Sequence, residues 1–173
     1  LQNVMICEPL ELEYISANIE SLGHTCTIVD MIIEKKKVAY FVKLYNPDVV
    51  GITGYISHVN IMKRYAKEAK EVNENITTII GGVHAEVNPE DFVSPYVDYI
   101  IRANGIRTFI DILNKLDKSE KKNQDSENAE NKTSEIVVND DEIECIYVPG
   151  KKPPKKDTTF NYLYPDRNKV DKY

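Results

Sequence analysis

Three features of this 173-residue sequence predict a doubly wound α/β fold on a five-stranded parallel sheet. Short β-branched and apolar runs recur between Asn3 and Ile101 without polar alternation, as strands buried on both faces require. Segments with apolar residues at helical spacing separate these runs. Turn-forming residues punctuate the boundaries, which suits strand–helix–strand units whose right-handed crossovers each cover a face of the sheet.

The first expected strand is Asn3-Val4-Met5-Ile6-Cys7, which stops at Glu8-Pro9. Leu12, Ile15, Ile19 and Leu22 then give a helical stripe with Gly23 as its stop. Thr25 to Val29 is the second strand, with Asp30 at its carboxyl end, and Val38, Phe41, Val42 and Tyr45 mark a helix closed by Asn46-Pro47. Val49 to Thr53 is the third strand, followed by a helix on Val59, Met62, Ala66 and Ala69. Thr77 to Ile80 is the fourth, ending on Gly81-Gly82, after which Asn88-Pro89-Glu90 opens a short helix with proline in its first turn. Val97 to Ile101 is the fifth, and Ile106, Phe109, Ile110, Leu113 and Leu116 form the closing helical stripe.

Beyond Leu116 the composition changes. Residues 117–135 are Lys, Glu, Asn, Asp and Ser with almost no apolar side chains, which predicts a flexible polar linker. Ile136 to Val138 and Ile143 to Val148, joined by Asn139-Asp140-Asp141, predict a hairpin packed on the sheet or on a neighbour. A basic stretch, Lys151 to Lys156, leads to the aromatic-rich Phe160 to Pro165. The expected organisation is therefore a domain over 1–116, a linker over 117–135, and a hairpin with a connector over 136–173.

Several function classes are excluded or disfavoured. The formal charge is −6, from 22 basic and 28 acidic residues, so no cationic groove for nucleic acid is expected. No apolar run approaches the roughly 20 residues that span a bilayer, and no signal peptide is visible, which predicts a cytoplasmic protein. Cys7, Cys26 and Cys145 are too widely spaced for a disulfide framework or a metal cluster and read as small buried hydrophobes. Neither a P-loop nor a G-x-G-x-x-G follows the first strand.

In open α/β sheets ligands sit outside the carboxyl ends of the strands. That rim comprises Glu8 to Leu12, Thr53 to His58, Gly81 to Ala85 and Arg102 to Gly105. Gly81-Gly82 admits two readings: a tight turn, or a place where backbone must approach a ligand. His58 and His84 lack a second ligand at metal-binding spacing and read as hydrogen-bonding groups, while His24 reads as structural. Glu8 and Asp30 suggest a receiver-like acidic pocket, yet Thr53 stands where the acceptor Asp belongs.

Several linked segments occur in the order found in one family. They are Pro9 to Ile15, Leu22-Gly23-His24, Asn46 to Thr53, Gly81 to Ala85 with Pro89-Glu90, and Val97 to Arg102. Over residues 3–116 the chain resembles the N-terminal cobalamin-binding-type domains of radical S-adenosylmethionine enzymes, which are Rossmann-like or flavodoxin-like. Tyr164-Pro165-Asp166-Arg167 is similar to the connector that precedes the radical domain in such proteins.

The resemblance implies a module that is not catalytic alone. Cobalamin would lie against the rim, with its nucleotide tail passing Gly81, Gly82, Val83 and His84 and contacting Thr53, Gly54 and Tyr55. Pro9, Leu10, Glu11, Leu12, Asn104 and Gly105 would border the corrin ring. No Asp-x-His-x-x-Gly follows the first strand, so the resemblance implies no histidine lower ligand there. The 4Fe-4S cluster and S-adenosylmethionine would belong to a missing C-terminal radical domain, of methyltransferase or oxidative-cyclase type, because no Cys-x-x-x-Cys-x-x-Cys occurs in this chain. Two further differences stand out: Glu11 occupies a position usually held by Gly, and residues 102–106 lack the family's two carboxylates. They motivate an alternative, a cofactor-free interaction or positioning module.

Overall fold

The computed structural model describes residues 8–126, 143–152, 159, 161–165 and 167–169. Three parallel strands, β1 (Val49–Ile52), β2 (Thr77–Ile80) and β3 (Tyr99–Ile100), lie in the order β1-β2-β3. Val49 pairs with Thr77 and Ile80 with Ile100, so the three carboxyl ends fall on one edge.

Five helices accompany the strands among the described residues: α1 (Leu10–Glu20), α2 (Val38–Tyr45), α3 (Val59–Val72), α4 (Val83–Val87) and α5 (Gly105–Ser126). The period-2 alternation of the strands divides the core. Ile79, Tyr99 and Ile101 face Ile19, Phe109, Ile112 and Leu113, on the α1 and α5 side. Ile80 and Ile100 face Met62, Ala85 and Phe92 on the other, while Val38, Val42, Ala69 and Ile76 join α2 to α3. Burying each large apolar side chain contributes roughly 1.5–3 kcal/mol, so the strand pattern alone explains why helices cover both faces.

The opposite edge of the sheet is fastened by polar groups. Asp98 Oδ2 accepts the Thr78 N–H at 2.7 Å and the Thr78 hydroxyl at 2.9 Å, and Lys70 Nζ stands 2.8 Å from the same oxygen. Thr78 is fully buried, and this network satisfies it where a β-branched strand residue would otherwise strand a hydroxyl in the core.

Three expectations change. Of five expected strands, three form; Asn3–Cys7 lies outside the described residues, and Thr25 to Val29 carries no ladder. Thr77 and Gly81 donate to Asp48 and Ile52, so the Val49 and Gly51 peptide groups point to the other edge of β1, away from β2, and no described strand pairs with that edge. Second, α5 continues through Ser126, so the first ten positions of the expected linker are helical; Lys, Glu and Gln favour helix even after the apolar stripe has ended. Third, α1 buries Glu13, Ser16, Asn18 and Ile19, whereas Leu22 is 52% exposed, so its buried face is partly polar.

The second half of the expected hairpin, 143–148, packs on the sheet: Tyr147 donates to Ile100 and Arg102 donates to Cys145, and Ile146 bridges Ile101 in antiparallel sense. The first half, 136–138, and the proposed turn lie outside the described residues. Cys145 is buried and Cys26 partly so, both as free thiols.

Candidate cofactor-binding edge

The loops that leave the three strands, together with the entry to α1, line one open cleft among the described residues, and the Thr25–Val29 segment lines it as well.

Gly82 fixes the turn at the end of β2. Its φ is 105°, a conformation that side chains rarely adopt, and a Cβ there would stand 2.7 Å from Thr53 Oγ1. The β1 and β2 loops therefore touch through a threonine hydroxyl set against bare backbone. Gly81 differs: its φ is ordinary and an added Cβ would meet only Ile101, at 3.8 Å. The glycine pair is thus one constrained position beside one permissive position. Gly54 is constrained by packing, because a Cβ there would lie 3.1 Å from Met62 Sδ.

Beyond these turns the rim is apolar and open. Tyr55, Ile56, Val83 and Val87 are between 66% and 80% exposed, a contiguous kind of surface that monomers seldom leave bare without use.

The histidines are each engaged. His84 Nε2 lies 2.8 Å from Asp91 Oδ2, and its ring meets Phe92 edge to face at 5.5 Å, so it ties α4 to the turn at Pro89–Phe92 (3-10 type). His58 Nδ1 accepts the Tyr55 N–H at 3.4 Å, which in the neutral ring leaves the proton on Nε2. That tautomer offers a donor rather than a metal-coordinating lone pair. His24 Nε2 stands 3.9 Å from Asp117 Oδ2, between α1 and α5.

Of the residues expected at the site, Pro9, Glu11, Leu12, Thr53, Gly54, Tyr55, Gly81, Gly82, Val83, His84 and Gly105 all line the cleft. Leu10 and Asn104 do not. Leu10 points to solvent, and Asn104, at φ 51°, donates to Cys145 Sγ at 3.4 Å and leads into α5. Arg102 also turns away from the rim, donating to the Lys151 carbonyl at 3.0 Å with its guanidinium over the Tyr147 ring. No receiver-like pocket forms from Glu8 and Asp30: Asp30 accepts the Ile32 N–H and Glu8 pairs with Arg167.

A family model for the B12-binding domain matches residues 4–113. The chain belongs to the B12-binding domain family. Within a curated set, the chain is 32% identical over 115 residues to an uncharacterized methyltransferase, PH0819, of Pyrococcus horikoshii, covering 64% of this chain and 25% of that protein. It is 26% identical over 115 residues to an anaerobic magnesium-protoporphyrin IX monomethyl ester cyclase of Rubrivivax gelatinosus, covering 63% of this chain and 21% of that protein. The chain thus spans a quarter or less of the length of these relatives. No solved structure matches it.

The geometry suits a B12-binding domain. Exposed apolar side chains stand beside the cleft, and Gly81 leaves bare backbone next to the contact of Thr53 with Gly82. The contact between Thr53 and Gly82 has no single-strand signature. Its trace in the sequence is Thr53-Gly54 at the end of one strand and Gly81-Gly82 at the end of the next. No helix among the described residues is long and apolar enough to cross a membrane.

Proposed function

We propose that this domain holds cobalamin at the carboxyl edge of its sheet as the N-terminal module of a radical S-adenosylmethionine enzyme, and is not catalytic alone. The observation that carries the reading is the notch at the ends of β1 and β2, where Thr53 Oγ1 meets the Gly82 backbone at the mouth of the cleft. In this reading the nucleotide tail passes Gly81 to His84 and Thr53 to Tyr55, and Pro9 to Leu12 with Gly105 border the ring. Cobalamin supplies methyl relay or support for radical chemistry when bound. The residues of this chain bind and orient it.

We keep a cofactor without a protein histidine as lower ligand, because no Asp-x-His-x-x-Gly follows the first expected strand. The two relatives, one named a methyltransferase and one a cyclase, support a parent of either type, with the iron–sulfur cluster and S-adenosylmethionine in a C-terminal domain. The outward peptide groups of β1 support a five-stranded sheet in which Asn3–Cys7 and Thr25–Val29 extend that edge. We place the domain at 1–116, with the connector toward the radical domain in 136–173, and the protein in the cytoplasm.

Hydroxocobalamin titrated into the chain and then desalted should leave corrin absorbance with the protein. Complete loss of absorbance overturns the reading. A second reading, a module that has lost its cofactor, draws on Glu11, an acidic side chain on the cleft wall. Glu11→Gly separates the two: tighter retention of corrin means a site narrowed locally, whereas a variant that retains none supports the cofactor-free module.

A further inference from the structure

The buried polar face of α1 needs an explanation, because a carboxylate or amide taken out of water is costly unless partners meet it. Glu13 and Ser16 are fully buried and Asn18 is 5% exposed. The end of the chain, residues 161–165 and 167–169, meets α1 at Asn18 and Glu20 and meets Glu8 just before the helix.

The contacts form a pattern. In the middle, Asn18 behaves like a strand neighbour: its Nδ2 donates to the Leu163 carbonyl at 3.3 Å, and its Oδ1 accepts the Leu163 N–H at 3.1 Å. At one end the Arg167 guanidinium forms a two-pronged pair with Glu8, its Nε donating to Oε1 at 2.8 Å. At the other, Lys169 pairs with Glu20 and donates to the Cys26 carbonyl at 3.2 Å. α1, whose sequence LELEYISANIE carries three glutamates and no basic residue, meets a cation of the chain end at Glu20. Glu8, first by its hydrogen bonds and then by its charge, favours the protonated form of Arg167.

We propose that α1 is a docking face for a peptide that carries cationic side chains, and that the chain's own residues 161–165 and 167–169 occupy it in cis as an electrostatic latch. Glu8 lines the cleft, so the Arg167 pair brings the latch to the cleft mouth. Tyr162 lines the same cleft from the latch side. The latch thereby fixes the exit of the chain beside the site, and closes the α1 wall with residues that no strand supplies. This deepens the module reading above, since it sets where a following domain would approach, but the docking itself needs no cofactor.

Amide exchange of the intact chain, without cofactor, tests the docking. At low salt the Leu163 amide should be protected, and Arg167→Glu with Lys169→Glu should speed its exchange at least tenfold, with the β2 amides unchanged. Adding Glu8→Arg to Arg167→Glu should restore most of the protection by reversing the pair. Molar salt should act on the wild-type chain as the charge reversals do. Equal Leu163 exchange in wild type and reversed variant overturns the latch. Protection that falls on dilution overturns docking in cis and assigns the peptide to a second copy.

Discussion

On the β1–β2 side of the cleft the wall is held by backbone and apolar packing: Ile79 and Ile80 are buried on opposite faces, and Gly82 sits at φ 105° with Thr53 against it. On the α1 side the wall is held by ion pairs and one amide pair, made between residues 145 to 159 positions apart. The first wall has no room for an added atom at Gly82 and little response to salt. The second tolerates displacement and depends on ionic conditions. One cleft thus combines a rigid edge that can select shape with an adjustable edge that can follow a neighbouring domain.

The largest expected effect comes from breaking the rigid wall. Gly82→Ala places a methyl group 2.7 Å from Thr53 Oγ1 in a left-handed backbone conformation, and strain of this kind costs about 1–3 kcal/mol. Chemical denaturation should show that loss, and Thr53→Ala in the same chain should recover the steric part while the backbone strain remains. Gly81→Ala is the control: with only Ile101 near, at 3.8 Å, its stability should stay within about 0.5 kcal/mol of wild type. Equal losses at the two positions would mean that the glycines are needed only as a flexible pair.

The same contrast explains what the sequence could reveal. β1, β2 and the start of α5 were legible because their burial is local: Val49-Val50, Ile79-Ile80 and the Phe109 and Leu113 stripe carry their periodicity within a few residues, although the fully buried Ile112 was not part of the expected stripe. The Gly82 constraint was legible in kind, as glycine at a strand end, though its partner Thr53 emerges only when β1 and β2 lie side by side. α1 was the harder case. Leu12, Ile15, Ile19 and Leu22 suggested an apolar stripe, yet Glu13, Ser16 and Asn18 are buried as well, and Asn18 meets Leu163 from the far end of the chain. Periodicity reports a helix's preference for oil; it carries no signal for a counter-charge supplied from 149 residues away. α5 outlasting its apolar stripe follows the same logic, since propensity extends a helix without any pattern to mark it.

A smaller effect is expected at the seam between the latch and α1. Burial pushes the Cys26 thiol above its ordinary value of 9.0, opposed by a hydrogen bond from Ser16 and more weakly by the charge of Lys169. Alkylation by iodoacetamide at pH 8 should therefore be slow in the wild-type chain, because the thiolate is the nucleophile. Arg167→Glu with Lys169→Glu removes a favourable charge but uncovers the thiol. Burial is the larger influence, so the rate should rise several-fold. An unchanged or lower rate would show that residues 161–165 and 167–169 do not shield this seam.

The smallest expected effect is acid release of the latch. The Arg167 guanidinium, first by its hydrogen bonds and then by its charge, holds the Glu8 carboxyl below its ordinary value of 4.5. A carboxylate whose folded value is depressed contributes stability above 4.5, and that contribution fades as pH falls through the depressed value. Docking should thus be complete at neutral pH and weaken only in acid. Glu8 and Arg167 are solvent-screened, so the change should be confined to the latch and leave the strands folded. The Leu163 amide resonance, followed from pH 7 to pH 3, should shift with a midpoint below 4.5, and Glu8→Gln should abolish that transition. A midpoint above 4.5, or one that survives Glu8→Gln, would transfer the acid response to another carboxylate and leave the amide pair at Asn18 as the main fastening of this wall.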